Sequence, residues 1–392
     1  MTAGQQDRTR DRVARRRRDG AAGDRGVKPL VVQVVPYYPP HIGGMENVAR
    51  VLAEGLAENR EVLVLTSRSG PVPAAQVERR GMLVIRRLLT FEFAHLPFMP
   101  TLLGRLIRLP RRAVVHVHLA QAFVPEMVWL AGLIRRRPYL VHFHLDVEPS
   151  GPLGWIFVAY KRWILGPVLR AAAAVIVVSP DQPAFITSTY GVPPEKIEVI
   201  LNGVGPEFYL EPRVARGHDG PFRLLFVGRL APQKNVSRLL RAIAEVSVPV
   251  EVVIVGDGEE RAALDKQRTE LGLDHVRMVG AQVGPDLVGW YRWADAFILT
   301  SDREGRGLVL LEAMAAGLPV VAGRVQGVID TVGDDGILVE PEPAALAGAI
   351  DRLAADPALW ADLARRGSQR AAQFPWTTLL GQLETLYERV VP

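Results

Sequence analysis

The sequence predicts an α/β fold of two doubly wound, Rossmann-like domains facing each other across a cleft, and three observations carry that expectation. Short β-branched runs alternate with longer helical patterns from Leu30 onward, the arrangement that builds parallel sheets. The strand candidates are apolar almost throughout rather than alternating, which suits strands covered by helices on both faces. The alternation fails once, between Gly203 and Pro221, where Gly205, Pro206, Pro212, Gly217 and Gly220 interrupt it, and then it restarts. A chain of 392 residues has room for two such domains at roughly 150 residues each.

Taken in order, Leu30–Val35 reads as a buried strand, followed by a Pro/Gly loop, a helix over Met45–Glu58 and a strand at Glu61–Thr66. Strands are also expected at Ala113–Val117, Tyr139–Phe143, Val175–Val178 and Ile197–Ile200. Past the break they are expected at Arg223–Val227, Glu251–Val255, Val276–Val279, Ala296–Thr300, Pro319–Val321 and Ile337–Val339. Helical periodicity marks Val236–Glu245, Glu259–Leu271, Gly307–Ala316, Ala344–Ala354 and Ala358–Gln373. The expected division is an arm at 1–28, an amino-terminal domain at 29–204, a linker at 205–221 and a carboxyl-terminal domain at 222–374. Residues 375–392 form a last helix crossing back to the amino-terminal domain. Ligands of open α/β sheets bind at the carboxyl ends of the strands, so the cleft is the expected site.

Composition narrows the chemistry. Hydrophobic residues make up 48% and charged residues 23% of the chain, ordinary for a protein with a large core. Cysteine is absent, which excludes disulfides, thiolate metal sites and a cysteine nucleophile; a cytoplasmic place of action is expected. The isoelectric point of about 9.6 is a local effect. Residues 1–28 carry nine basic groups against four acids, a net +5 that equals the formal charge of the whole chain. Such a Gly/Asp/Arg-rich arm cannot bury enough apolar surface to fold, and it lacks the apolar core of a signal peptide. It reads as a solvated tail, or as a contact arm for anionic lipid or nucleic acid. No stretch reaches the ~20 apolar residues of a spanning helix.

Two loops carry the strongest chemical signals. Ser301-Asp302-Arg303-Glu304-Gly305-Arg306-Gly307-Leu308-Val309 leaves a strand and opens a helix, so its amides and the helix dipole favour a phosphate. Glu304 precedes that helix and Glu312 lies a turn into it, giving two carboxylate acceptors for sugar or ribose hydroxyls; one surface and one cap-region Glu is the plain alternative. Phe226-Val227-Gly228-Arg229-Leu230-Ala231-Pro232-Gln233-Lys234 places two cations at another strand end. Arg by its fork and Lys as a point charge suit a diphosphate, although either alone is commonly just exposed.

With Gly256-Asp257-Gly258-Glu259 between them, these segments resemble the retaining glycosyltransferase family 4, of the GT-B fold, whose hallmark is two Glu separated by seven residues, here Glu304 and Glu312. The similarity extends into the amino-terminal half through Pro39–Glu46, Val115-His116-Val117-His118, Val141-His142-Phe143-His144-Leu145-Asp146, Val178–Asp181 and Ile200–Val204. The resemblance implies a hexosyltransferase whose amino-terminal domain takes the acceptor and whose carboxyl-terminal domain takes a nucleotide sugar. Arg229 and Lys234 would hold the diphosphate, Glu304 the transferred sugar and Glu312 the ribose. The backbone of Gly305, Arg306, Gly307, Leu308 and Val309 would line sugar and phosphates, with Val279 near the base. Gly43 and Gly44 would approach the phosphates from the other domain. His144 would stand near the anomeric centre, with Asp146, His118 and Glu46 on the acceptor side; packing is the plainer reading of His116 and His118.

The family pattern has Phe where this chain has Arg306, an extra cation that either reads an anionic group or points to solvent. The Asp usual after Asn-Gly-Val is Gly205. No Asp-X-Asp of the metal-chelating kind follows a strand, so neither metal nor cofactor is expected, and charge neutralisation falls to cations and amides. A uridine diphosphate sugar is the favoured donor and guanosine diphosphate mannose the alternative. The acceptor is a lipid-linked glycan or a small molecule such as an aglycone or cyclitol. Apolar and basic residues mix at Phe91–Arg112, Arg135-Arg136-Arg137 and Trp155–Arg170, which suits peripheral contact with the anionic inner membrane face; a solvated rim over core residues is the alternative. Rival readings are a nucleotide-sugar epimerase or a phosphorylase of the same fold, and a nucleic-acid binder working through the arm.

Overall fold

The computed structural model describes residues 28–70, 74–93, 96–119, 122–144, 158–211 and 220–391. The first half contains β1 (Val31–Val35), α1 (Gly44–Leu56), β2 (Val62–Ser67), β3 (Val77–Arg80) and β4 (Leu83–Leu88). A small antiparallel hairpin, β5 (Phe91–Phe93) and β6 (Leu96–Phe98), follows. Then come α2 (Leu102–Ile107), β7 (Val114–Leu119), α3 (Val124–Arg135) and β8 (Tyr139–Phe143). A π-helical turn (Lys161–Leu165) runs into α4 (Gly166–Ala171), ahead of β9 (Ala174–Val177), α5 (Gln182–Tyr190) and β10 (Ile197–Val199).

Eight of these strands form one sheet in the order β10-β9-β8-β7-β1-β2-β4-β3, parallel except for β3 against β4. The chain leaves β1 in one direction and returns to β7 on its other side, so the order reverses between them. Such a switch point leaves a crevice at the strands' carboxyl ends. Strands β1, β2, β4, β7, β8 and β9 contribute to both faces. Val32 and Val34 join Val117, Val141, Leu106, Val128 and Leu169 on one side, while Val31 and Val35 join Leu52 and Leu140 on the other.

The second half repeats the plan. It contains β11 (Phe222–Val227), α6 (Val236–Glu245), β12 (Val250–Val255), α7 (Arg261–Glu270), β13 (Val276–Gly280), α8 (Gly284–Trp293), β14 (Ala296–Leu299) and α9 (Leu308–Ala315). After β15 (Val320–Gly323), α10 (Gln326–Val332) and β16 (Ile337–Val339), it closes with α11 (Pro343–Ala355), α12 (Pro357–Ala371) and α13 (Trp376–Val390). Its parallel sheet runs β13-β12-β11-β14-β15-β16, with the reversal between β11 and β14. Local signals set the helix starts. The Asn235 side chain accepts from the Arg238 amide at 3.1 Å, and Asp356 accepts from the Leu359 amide at 2.9 Å, each satisfying an orphan donor.

Helix α13 leaves the second half and packs on the first: Leu379, Leu383, Leu386 and Tyr387 complete the apolar face that includes Val31 and Leu52. Leu308, the first residue of α9, packs against that same cluster, so the second half also meets the first at the start of α9. The main strands lie within a residue or two of the apolar runs. Strands β3 to β6 and helices α2 to α5, α8 and α10 lie outside the ranges named in the expected set. In β4 the paired Arg86-Arg87 masked the pattern; Arg87 is buried because it donates to the carbonyls of Ala75 at 2.9 Å and Pro39 at 2.6 Å. Among the described residues no helix is long and apolar enough to cross a membrane. The arm up to residue 27 and residues 212–219 of the expected linker lie outside the described residues.

Candidate active site

The reversal between β11 and β14 brings two loops together. The loop after β11 carries Lys234 and the loop after β14 carries Glu304, and their side chains meet with Nζ 2.5 Å from Oε1. Ser301 donates to the same Glu304 oxygen at 2.6 Å. The Thr300 hydroxyl braces the partner loop by donating to the carbonyls of Lys234 and Asn235, each at 3.1 Å. Gly307, at φ +54°, turns the chain from Glu304 into α9; a side chain there would be strained, and its Cβ would lie 2.7 Å from Leu310 Cδ1. The amides of the first turn of α9 consequently sit beside the Lys234–Glu304 pair.

Glu312 is buried one turn into α9, where the buried Tyr291 hydroxyl donates to its Oε2 at 2.7 Å. Burial pushes the Glu312 carboxyl up to about 7, with the Tyr291 bond acting in the opposite direction and Glu207 of the linker adding repulsion. Tyr291 is fixed in turn by stacking on Phe297 and by an edge contact with Phe208. The Tyr291 hydroxyl thus occupies one of the two Glu312 oxygens.

Not every expected residue converges. Arg229 shares the loop of Lys234 but is two-thirds exposed and donates to Glu259 at 3.2 Å. Val279 is the penultimate residue of the edge strand β13, two strands from β11, and its carbonyl accepts from the Gln282 side-chain amide at 3.1 Å. Of the two expectations for the Arg306 side chain, that it points to solvent needs correction: it is 3% exposed and turned inward. Its guanidinium lies 4.5 Å over the Phe374 ring, and burial lowers its pKa to about 10. Its carbonyl accepts from Thr331 Oγ1 at 2.5 Å, which ties the site loop to α10.

Across the crevice, the loop after β1 presents Gly43 and Gly44 at the start of α1. A Cβ on Gly43 would fall 2.1 Å from Glu46 Oε2, so glycine lets the Glu46 carboxylate fold against the turn. The other Glu46 oxygen lies 3.1 Å from His41 Nδ1. Asp146 lies outside the described residues.

His144 follows β8 and belongs to a four-imidazole assembly. His118 Nδ1 is 3.0 Å from His144 Nε2, and His116 Nε2 is 3.2 Å from His142 Nδ1, making two hydrogen-bonded pairs. The pairs stack, with centroids 4.7 Å apart for His116–His118 and 4.3 Å for His142–His144. The Tyr387 hydroxyl of α13 closes the lower pair, 2.7 Å from His116 Nδ1. Burial depresses all four, His116 and His144 to about 3, so the rings are neutral near pH 7. His118 therefore stands behind His144, fully enclosed. Among the described residues the group able to bring three ligand atoms within 4.8 Å of one another is His116, His118 and His142. The planes of the two pairs stack rather than intersect, so the three in-plane lone pairs do not converge on one point, as tetrahedral coordination requires.

Sequence reasoning singled out neither Ser301 nor Tyr291. Ser301 opens the quoted loop motif and sits three residues before Glu304, a spacing that could have suggested it. Tyr291 lies 21 residues before Glu312 on another helix, and no local pattern connects them.

The comparisons with known proteins agree with this architecture. Residues 42–208 match the family described as Glycosyltransferase Family 4, and residues 211–373 match Glycosyl transferases group 1. An uncharacterized glycosyltransferase of Methanocaldococcus jannaschii is 30% identical over 356 residues, covering 83% of this chain and 89% of the relative. A D-inositol 3-phosphate glycosyltransferase of Frankia alni is 34% identical over 248 residues, 57% of this chain, and the match spans only 61% of that relative. Among solved structures, sucrose-phosphate synthase from Thermosynechococcus elongatus superposes with a TM-score of 0.73 at 23% identity, covering 92% of this chain and 99% of that one. HepE of Anabaena, in complex with UDP and glucose, gives 0.73 at 22% identity, covering 92% and 100%. At such identities the likeness is one of fold.

Proposed function

The chain belongs to glycosyltransferase family 4 and has the GT-B fold, and on that premise we propose that it moves a hexosyl or N-acetylhexosaminyl group from a nucleoside diphosphate sugar to an acceptor hydroxyl, with retention of anomeric configuration. The observation that carries the proposal is the meeting of Lys234 with Glu304, in the loop that opens α9, at a sheet switch point. In this reading the donor separates that pair: Lys234 turns to the diphosphate and Glu304 to the sugar. Glu312 accepts from the ribose through the oxygen that Tyr291 leaves open. Arg229 joins Lys234, at low cost because its pair with Glu259 is exposed.

The acceptor hydroxyl attacks the anomeric carbon on the face from which the diphosphate leaves. The bond from that carbon to the phosphate oxygen breaks, the new glycosidic bond forms, and the hydroxyl proton passes to the departing phosphate oxygen. The protein's part is positioning and stabilisation of the leaving charge by Lys234, Arg229 and the helix amides; the proposal includes neither a divalent ion nor a cofactor. His144, neutral and hydrogen-bonded to His118, faces the transferred sugar from the first half in this reading. The first half takes the acceptor, a lipid-linked glycan or a small molecule, and the second takes the donor. A uridine diphosphate sugar is favoured, a class that HepE was captured with, and the reaction is placed in the cytoplasm.

The test is to incubate the protein with uridine and guanosine diphosphate sugars, with and without a crude lipid and metabolite extract. Release of nucleoside diphosphate that depends on the extract is the expected result. Conversion of one nucleotide sugar into another without release would replace the transferase with an epimerase.

A further inference from the structure

Helix α3 is apolar nearly all round, the pattern of a helix buried on every side, yet only one side of it is buried. Val124, Val128 and Ala131 face the first sheet. Leu130, Leu133 and Ile134, spaced three and four residues apart on the opposite side, are exposed. Helix α3 packs between α2 and the π-turn leading to α4, and all three contribute to one core cluster, so they form a single layer. The π-turn adds Trp163, 72% exposed, and the exposed Ile164, with Val158 just before them.

The charge around these side chains has one sign. From Thr101 to Phe143 the chain holds seven arginines and one acid, Glu126, and that acid accepts from the Tyr160 hydroxyl at 2.5 Å. Arg105, Arg108 and Arg111 on and after α2, Arg135 and Arg136 at the end of α3, and Arg162 in the π-turn are exposed. Aliphatic side chains such as Leu133 and Ile134 gain nothing from phosphates or stacked bases; they gain from acyl chains. A tryptophan and snorkelling arginines beside them match the polar boundary of a bilayer.

We propose that the outer layer formed by α2, α3 and the π-turn docks on the surface of an anionic lipid bilayer, with Leu133, Ile134 and Trp163 entering the headgroup boundary and the arginines meeting the headgroups. This inference rests on the transferase reading only for its purpose, which is to bring the acceptor half to a lipid-borne hydroxyl.

The experiment is flotation of the full chain with vesicles of phosphatidylcholine containing about 30% phosphatidylglycerol, against pure phosphatidylcholine. The expected result is co-flotation with the anionic vesicles, weakened by about 0.5 M salt as surface charge is screened. Arg135→Gln with Arg136→Gln should weaken partition about five-fold per charge, roughly 25-fold together. Leu133→Ser with Ile134→Ser and, separately, Trp163→Ser should also release the protein, while each variant keeps its thermal stabilisation by UDP. Flotation that these variants leave unchanged would overturn the proposal and assign adsorption to the basic arm. Absence of flotation, with or without a concentration-dependent dimer that the same variants dissolve, would also overturn it. UDP stabilisation in the same samples reports on the transferase reading separately.

Discussion

Replacing Glu304 with glutamine should lower turnover without lowering nucleotide affinity. In the ligand-free protein the Glu304 carboxylate holds Lys234 at 2.5 Å, with the two side chains 7% and 15% exposed. A charge-assisted bond of this kind contributes about 1.5–3 kcal/mol. A diphosphate arriving at Lys234 must displace it, so part of the phosphate's interaction only replaces what is lost. Glu304→Gln keeps the size of the side chain and removes the competing charge. The affinity for UDP should stay level or tighten by up to about tenfold, the equivalent of about 1.4 kcal/mol. Turnover should fall by about 10²–10³, the usual loss when one aligned stabilising group is removed. Calorimetric titration with UDP gives the first quantity and the initial rate of UDP release gives the second. A UDP affinity that falls in step with turnover would show that Glu304 merely holds the loop, and unchanged turnover would take it off the sugar.

Three other outcomes follow from the same geometry. Arg229→Ala combined with Lys234→Ala should weaken nucleoside diphosphate binding by about a hundredfold or more, two charge-assisted contacts being lost; unchanged titration curves would remove the diphosphate from this loop. Glu312 is held up to about 7 by burial, so UDP affinity should fall as pH drops through that value, and Tyr291→Phe should move the midpoint higher because the Tyr291 bond acts to lower it. The same raised carboxyl favours folding most below its ordinary range near 4.5, and that contribution should fade as pH rises to about 7. A midpoint in UDP affinity that Tyr291→Phe leaves in place would separate Tyr291 from the ribose carboxylate. Gly307→Ala, at φ +54°, should cost about 1–2 kcal/mol of stability and weaken UDP binding, read by thermal unfolding with and without the nucleotide; an unchanged melting temperature would show that the turn tolerates a side chain.

The parallel sheets were legible because strands covered on both faces must be apolar along their length, as Leu224 to Val227 are in the second sheet and Val141 and Val175 are in the first. The loop residues Lys234 and Glu304 could be named from strand ends, since the carboxyl edge of a parallel sheet is where ligands bind. What joins them is the strand order, which places β11 beside β14, and no local pattern encodes that. Arg306 misled because a guanidinium reads as surface, whereas here it is accommodated by the Phe374 ring. His118 and His142 gave no hint of their arrangement, because imidazoles that satisfy one another across two strands look in sequence like any packed pair. Tyr291 was hidden for the same reason as most positioning groups: its partner, Glu312, lies on a different helix.

The central claim is that the switch point of the second sheet binds a nucleoside diphosphate, and titration calorimetry with UDP, GDP, ADP and CDP in the presence of EDTA tests it most directly. The account predicts saturable binding of one diphosphate, UDP foremost, undiminished by the chelator and lost in the Lys234→Ala variant. Equal heats for every nucleotide, binding that the chelator abolishes, or binding that survives the loss of Lys234 would contradict it.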